Sequence, residues 1–317
     1  MALRKAKRHK LKVPILLTGA SGSGKTVSSL LIAKGIVDKM FPDLPDDERW
    51  DKIAVIDTEH CRSEMYCDST IGDTHIGSFN IYDLVEPYTV ERYIQGFNEC
   101  KQAGCEVVIV DSITHAWSGE GGILNKVDKL GGQFQAWSKV KPDEQAFLKM
   151  FFDQDVHVIA TVRSKQGYEV TRTDTGKVNI EKIGLKPDQK DGLEYECAIV
   201  FQLYEDHTAE ATKDNTNSFS GRFVIDSKIG GSIYDWAEQG VDLKAEKQKK
   251  IDHLITQIQN EAMKSEKAQA ALKDIILKVG NIPLESFPIN ALEKTHKFLQ
   301  AANISNNEAN KATEKEQ

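Results

Sequence analysis

Residues 19–26 have the sequence GASGSGKT, which matches the pattern G-x-x-x-x-G-K-[ST]. The motif follows an apolar run at 13–18 and opens a segment with helical spacing at 25–40. Glycines let the backbone curl so that successive amides point inward, and a helix N-terminus favours anions. The pattern predicts a loop that binds nucleotide phosphates, with Lys25 on the β and γ phosphates and Thr26 on Mg²⁺. The predicted loop residues are Gly19, Ala20, Ser21, Gly22, Ser23, Gly24, Lys25 and Thr26.

Carboxylates stand at the ends of two further apolar runs. Asp111 ends VVIVD and is the expected second residue supporting Mg²⁺. The run IAVIDTEH (53–60) carries Asp57 and Glu59, which share a face because side chains alternate along a strand. Glu59 lies further out, so we predict that it activates water; Asp57 in that role, or plain solvated strand-end charges, are the alternatives.

The elements that must position these residues alternate between strand and helix. Uninterrupted apolar strands with helices between them indicate an α/β fold with a mostly parallel, doubly wound sheet, in which strand carboxyl ends share one crevice. Apolar runs predict strands at 13–18, 53–59, 77–84, 107–112, 156–161, 198–204 and 222–227, and helical spacing predicts helices at 25–40, 89–104 and 143–154.

Composition changes divide the chain into four parts. A basic arm (1–12), which either touches nucleic acid or is a mobile terminus, precedes the α/β domain at 13–240. A small helical region rich in Ala, Lys, Glu and Gln is expected at 245–303. The tail at 304–317 lacks a sustained apolar pattern and is expected to be disordered.

The whole chain of 317 residues has a net charge of -7, so nucleic-acid contact would need a local basic patch. No apolar run long enough for a membrane span and no signal-peptide pattern occur, which predicts a cytoplasmic protein without membrane contact. An odd number of cysteines, five, argues against a disulfide framework. Isolated thiols are expected; the alternative is a metal site built from His60, Cys61, Cys67 and His75.

The order GASGSGKT, IDTEH, VVIVDSITHAW and VHVIATVRSK resembles the core of RecA-type P-loop ATPases over about residues 13 to 230. Within that group it most resembles phage-encoded AAA family ATPases of the single-strand annealing and recombination type. The resemblance implies Mg²⁺-dependent ATP hydrolysis, with Asp111 as the Walker B residue and Glu59 as the catalytic glutamate. It also implies a polar sensor at Thr161 or Arg163.

RecA-type enzymes bind ATP between subunits, so the resemblance also implies a homo-oligomer, either a ring or a filament. A basic residue of the neighbouring subunit would reach the γ phosphate, often from a K-x-R pattern. Here Lys213 fits that pattern, but Asn215 occupies the arginine position. Lys213 or Arg222 is therefore the expected trans-acting residue, and a surface lysine without that role is the alternative.

Two segments would face nucleic acid by the same resemblance. The first, 117–142, is expected to be a loop made flexible by its glycines, with Trp117, Phe134 and Trp137 as stacking surface. The second, 163–190, is expected to contain a β-hairpin at 168–181, because the sequence alternates around DTG. Cations around an aromatic ring suit single-stranded DNA; a solvated edge or subunit contact is the alternative. The predicted contacts are Lys165, Tyr168, Arg172, Lys177 and Lys182.

The resulting expectation is an ATPase that acts on single-stranded DNA in recombination, annealing or replication. If the chain is phage-encoded, it would work in the host cytoplasm beside a phage single-strand-binding or replication protein. The main alternative is a nucleotide-gated ATPase that binds a protein, such as a helicase-loading factor, which the acidic net charge favours. A small-molecule kinase is a weaker alternative, since no lid or acceptor pocket is evident.

Overall fold

The computed structural model describes residues 5–152, 155–172 and 178–313. The chain forms two compact units. One runs from Leu11 to Gln239, and the other combines the residues up to Lys10 with those from Gly240 onward. In the part of the chain that the structure describes, no helix combines the length and the apolar character that crossing a bilayer requires.

The Leu11–Gln239 unit is a mixed α/β structure. Its strands are β1 (Pro14–Gly19), β2 (Ile53–Asp57), β3 (Ser69–Ile71), β4 (Thr74–Ile76), β5 (Asn80–Asp83), β6 (Val107–Asp111), β7 (His157–Arg172), β8 (Val178–Pro187), β9 (Ile199–Leu203), β10 (Thr208–Asp214) and β11 (Arg222–Val224). Its helices are α1 (Lys25–Met40), α2 (Asp46–Trp50), α3 (Val90–Gln102), α4 (Thr114–Ser118), α5 (Ile123–Lys129), α6 (Phe134–Phe152), α7 (Leu193–Glu196) and α8 (Ser227–Ala237). A 3₁₀ turn spans Arg62–Tyr66.

The central sheet has the strand order β11-β10-β9-β1-β7-β6-β2-β5, with β8 paired to β7 outside this path. The strands from β9 to β5 run parallel, whereas β10, β11 and β8 are antiparallel to their neighbours. This confirms the predicted α/β class with a mostly parallel, doubly wound sheet. The order brings the carboxyl ends of β1, β7, β6 and β2 to one edge, where the predicted chemistry lies.

Both faces of the sheet are buried, which explains the uninterrupted apolar strands. Within β2, Ile53 and Val55 pack with α1 and α8, while Ala54 and Ile56 pack with α3 and α6. The α1–α8 contact is backbone to backbone. A Cβ on Gly35 would lie 1.7 Å from the Ser227 carbonyl oxygen, and a Cβ on Gly230 would lie 2.0 Å from the Ile32 carbonyl oxygen. Glycine is therefore required at both positions.

Several elements differ from the sequence expectation. The glycine-rich segment 117–142 was expected to be a flexible loop, but it contains part of α4, all of α5 and the first half of α6. Buried Ile123 and Val140 anchor it to the core. Strand β10 has a polar sequence without an apolar run, and its pairing with β9 reveals it. The pairing of β7 with β8 confirms the predicted hairpin.

The second unit contains the predicted C-terminal helices, α9 (Leu243–Ala262), α10 (Glu266–Lys278) and α11 (Ile289–Thr313). Its core includes Ile258, Leu292 and Leu299. The segment 304–313, expected to be disordered, continues α11, because no Gly or Pro interrupts it and Ala, Glu and Lys favour helix.

The N-terminal arm was expected to be free along 1–12, but its last residues pair within the second unit. The Lys10 N–H donates to the Val241 carbonyl at 3.0 Å, and the Val241 N–H donates to the Arg8 carbonyl at 2.9 Å. Backbone hydrogen bonds satisfy polar groups that an isolated arm would leave to water, so this part of the arm is a structural segment.

Candidate active site

The predicted phosphate loop connects β1 to the start of α1 at Lys25. Gly24 caps the helix with φ 91°, a left-handed conformation that favours glycine. The Lys25 ammonium folds back over the loop and donates to the carbonyl oxygens of Gly19 at 3.0 Å and Ala20 at 2.7 Å. Burial lowers the pKa of Lys25. The cation is therefore held inside the loop, beside the N–H groups that begin the helix and lack intrahelical acceptors.

The loop also contains an unsatisfied polar atom. Among the described residues, the buried Ser23 hydroxyl has no hydrogen-bond partner. A Cβ on Gly19 would lie 2.5 Å from this Ser23 oxygen and 2.7 Å from the Leu203 carbonyl, so only glycine lets the loop close. Buried polar atoms are normally paired, and an anion enclosed by the loop supplies acceptors. These residues therefore fit a polyphosphate.

The carboxylate of Asp111, at the end of β6, accepts hydrogen bonds from two hydroxyl groups. The Thr26 hydroxyl donates to its Oδ2 and the Thr161 hydroxyl to its Oδ1, each at 2.5 Å. Asp111 is only 4% exposed, and burial raises its pKa. Thr26 and Asp111 together offer the hard oxygen ligands that Mg²⁺ prefers, and Thr161 fixes the orientation of the carboxylate.

Glu59 follows β2 and points into the same region. Arg163, on β7, forms a bidentate ion pair with it: Nε donates to Oε1 at 2.6 Å and Nη2 to Oε2. The Ser112 hydroxyl also donates to Oε1 at 3.2 Å. Thr161 and Arg163, the two alternative sensor residues, therefore contact different carboxylates, Asp111 and Glu59 respectively.

Asp57 ends β2 and lies two residues before Glu59, but its environment is different. Its carboxylate accepts the Glu59 N–H at 2.6 Å, the Ser63 N–H at 3.1 Å and the Ser63 hydroxyl at 2.5 Å. These bonds turn the chain into the 3₁₀ segment after β2. The Asp57 carboxylate is thus hydrogen-bonded to the segment that follows its own strand, whereas Glu59 lines the cavity beside the phosphate loop.

That cavity has a volume of about 700 Å³. Its polar end contains the loop and the acidic groups, and its outer wall is largely apolar, with Met65, Tyr66, Ile71, Val224 and Ile225. The remaining lining residues are Ser21, Gly22, Gly24, Lys25, Thr26, Val27, Ser28, Leu31, Glu59, Arg62, Asp111, Arg163 and His207. A polar end beside an apolar wall suits a molecule that carries phosphates at one end and a flat ring at the other.

The family model described as "AAA domain" matches residues 11–229, which span β1 to the start of α8. The chain belongs to the AAA domain family. Its structure is also similar to one titled "Crystal structure of the RadB recombinase", with 15% sequence identity and a TM-score of 0.36, covering 69% of this chain and 90% of that chain. A search of curated proteins gave no match. Family membership supports a P-loop nucleotide-binding domain.

The two candidate trans-acting residues both have partners within this AAA domain. Lys213, on β10, donates to the carbonyl oxygens of Glu194 at 3.3 Å and of Tyr195. These carbonyls belong to α7, whose C-terminal half attracts a cation. The Arg222 guanidinium lies 3.8 Å from the centre of the Tyr204 ring. Either residue would have to leave these contacts to reach a neighbouring subunit.

The predicted nucleic-acid residues lie on the β7–β8 hairpin of the AAA domain or at its base. The Lys165 ammonium donates to Asp188 at 2.6 Å, so its charge is partly compensated. Tyr168 and Lys182 are paired residues on the two strands, and Arg172 is the last residue of β7. Lys177 lies outside the described residues.

The alternative metal site is not formed. Among the residues that the structure describes, no group of three or more His, Cys, Asp or Glu side chains could hold a metal ion. Cys61 instead donates its thiol to Asp83, at 3.0 and 3.1 Å from the two carboxylate oxygens. This hydrogen bond raises the pKa of Cys61 to about 11, so the group stays a thiol at neutral pH.

Three polar lining or contact residues were not identified from the sequence: Ser112, Arg62 and His207. Ser112 directly follows Asp111, and Arg62 follows Glu59 by three positions, so their proximity to the motif was the available signal. His207 lies in the turn between β9 and β10, far along the chain. Only the pairing of β1 with β9 brings that turn beside the loop.

Proposed function

We propose that this AAA domain protein binds ATP with Mg²⁺, hydrolyses it, and acts on single-stranded DNA in recombination, annealing or replication. The observation that supports hydrolysis is the shared cavity of Lys25, Asp111 and Glu59. Each of these groups comes from a different strand end or loop, and they face one space beside the phosphate loop. A site that only binds nucleotide does not need a carboxylate placed like Glu59.

In this proposal each side chain has one task. Lys25 would exchange two loop carbonyls for phosphate oxygens, and Thr26 and Asp111 would hold Mg²⁺. The metal ion, when bound, offsets negative charge on the phosphate oxygens. Glu59 accepts a proton from water, but a carboxylate paired with a guanidinium is a weak base. Arg163 therefore has to release Glu59 before the water can be activated.

The first experiment compares ATP binding and steady-state hydrolysis in the wild type, Lys25→Ala and Glu59→Gln. Lys25→Ala is expected to lose ATP binding, and Glu59→Gln is expected to bind ATP but lose turnover by about a hundredfold or more. Glu64→Gln is the matched control, because Glu64 is an exposed carboxylate in the 3₁₀ turn after Glu59. Turnover in Glu59→Gln equal to that of Glu64→Gln would refute the role of Glu59.

DNA binding is supported by the β7–β8 hairpin. Its strand β7 carries Thr161 and Arg163 near one end and Arg172 at the other, so one element joins the cavity to the basic hairpin. Cations that contact phosphates make binding strongly salt-dependent. We expect ATP-dependent binding of single-stranded DNA to weaken steeply with salt, and the double variant Arg172→Ala/Lys182→Ala to reduce both affinity and salt slope. The double variant Lys267→Ala/Lys273→Ala, which removes two exposed cations from α10, is the charge-matched control.

Measuring ATP hydrolysis with and without single-stranded DNA tests the second candidate function, a nucleotide-gated ATPase that binds a protein such as a helicase-loading factor. The net charge of -7 and the pairing of Lys165 with Asp188 favour it. ATP hydrolysis that is indifferent to DNA, at low and moderate salt alike, would support this alternative. Assembly into a ring or filament, a phage single-strand-binding or replication partner, and a host-cytoplasmic location belong to the first proposal.

A further inference from the structure

The turn between β9 and β10 faces the phosphate loop. It consists of Glu205, Asp206 and His207, closed by a hydrogen bond from the His207 N–H to the Tyr204 carbonyl at 3.0 Å and one from the Tyr204 N–H to the Thr208 carbonyl at 2.9 Å. Asp206 accepts the Thr208 N–H at 3.0 Å and its hydroxyl at 2.6 Å. The turn is therefore held by several bonds of its own.

His207 occupies the position in this turn that favours glycine. Three-residue hairpins combine a type I turn with a residue in the left-handed conformation, which is usually Gly. His207 has φ 62°. Glycine adopts this conformation at the lowest cost, so the turn itself does not require a histidine here.

The imidazole of His207 lies against the start of α1. Its Nδ1 is 3.3 Å from the place that a Cβ on Gly24 would take, and the residue lines the 700 Å³ cavity. Gly24 is the cap of the helix whose N-terminus forms the anion site. The imidazole therefore stands beside the site where a phosphate would lie, and whichever ring nitrogen carries the proton can donate a hydrogen bond. It is on the side of β1 opposite Glu59's strand in the sheet order.

We infer that His207 is a nucleotide-binding residue that donates a hydrogen bond to a phosphate group of the bound nucleotide. The inference rests on the proposed ATP binding and adds a contact that the P-loop motif does not contain. It makes the β9–β10 turn part of the nucleotide site, so binding involves β9 as well as the strands that carry the loop, Asp111 and Glu59.

The decisive variant is His207→Gly, because it separates binding from folding. Glycine is the favoured residue for this turn, so the melting temperature without ligand should be unchanged or higher. Affinity for ATP, ADP and inorganic tripolyphosphate should each fall about tenfold, the scale of one hydrogen bond to a charged group. His207→Gln, which retains an N–H donor, should recover part of the loss.

Calorimetric titration of the full chain with the three ligands tests this, with Glu205→Gln as the control in the same turn and Lys25→Ala as the control for the site. Wild-type affinity of His207→Gly for tripolyphosphate would overturn the inference, whether or not ATP binding weakens. Unchanged ATP affinity in Lys25→Ala would instead overturn the proposed function, and this inference with it. Weakened binding of all three ligands in His207→Gly, with Glu205→Gln as wild type, supports the contact.

Discussion

Asp57 and Asp111 end adjacent parallel strands and are paired in register, yet their carboxylates have different partners. Asp57 accepts two backbone N–H groups and the Ser63 hydroxyl from its own connection. Asp111 instead accepts hydrogen bonds from two side-chain hydroxyls, those of Thr26 in the loop and Thr161 on β7. Hydroxyls can rotate and share their oxygen with a metal ion, whereas backbone N–H groups cannot. We therefore expect the hydrogen-bond partners of a carboxylate, rather than its position at a strand end, to distinguish a structural residue from a metal ligand.

The largest effect is expected from Asp111→Asn. If the proposed function holds, loss of the negative charge beside Thr26 would remove an Mg²⁺ ligand, and turnover should fall by about a hundredfold or more. Steady-state hydrolysis across a range of Mg²⁺ concentrations checks this, and the required Mg²⁺ concentration should rise as well. If Asp111→Asn and Asp57→Asn lose the same fraction of turnover per folded molecule, the distinction between the two carboxylates is wrong.

Asp57→Asn should act mainly on stability. One oxygen becomes an amide nitrogen, so a donor N–H of Glu59 or Ser63 would face another donor inside the protein. The unfolding free energy should fall by about 1 to 3 kcal/mol, the cost of an unsatisfied buried group. Urea unfolding measures it. A stability equal to wild type, together with lost turnover, would assign Asp57 to the chemistry instead.

The smallest effect concerns pH. Burial raises the pKa of Asp111 in the folded protein, so its contribution favours folding at acid pH and is lost as pH rises through the folded pKa. Without nucleotide, Asp111→Asn should therefore be more stable than wild type at pH 7. The difference in unfolding free energy between the variant and the wild type should shrink towards pH 4, by at most about 1.4 kcal/mol per pH unit. A gap independent of pH between 4 and 7 would contradict a raised pKa.

Much of the fold could be predicted because the signals are local. The apolar strands β1, β2, β6 and β9 and the helix α1 follow from periodicity, and α1 has the predicted bounds of Lys25–Met40. The polar strand β10 could not be predicted, because its partner β9 supplies the pairing and its own residues show no apolar pattern. Helices α4 and α5 were missed because glycines at their ends resemble a loop in sequence.

The candidate site likewise contains residues that a local sequence signal predicts and contacts that no local signal predicts. Lys25 and Thr26 follow from a motif with fixed spacing, and Asp111 follows from its place at the end of an apolar run. The structure brings the three together. The ion pair of Glu59 with Arg163 joins residues 104 positions apart, and nothing in either local sequence indicates it. His207 depends on strand order alone. Contacts set by tertiary pairing leave no periodic trace in the chain, which is why sequence reasoning did not find these two.

The close packing of α1 on α8 affects how a mutational map of this protein should be interpreted. Gly35 and Gly230 do not line the nucleotide cavity, but neither tolerates even one extra carbon without separating the two helices. Displacing α1 would displace the loop that it carries. A screen for lost nucleotide binding would therefore recover substitutions at these two glycines together with those at Lys25. A position that does not tolerate substitution could belong to the packing that supports the site as readily as to the residues that contact the nucleotide.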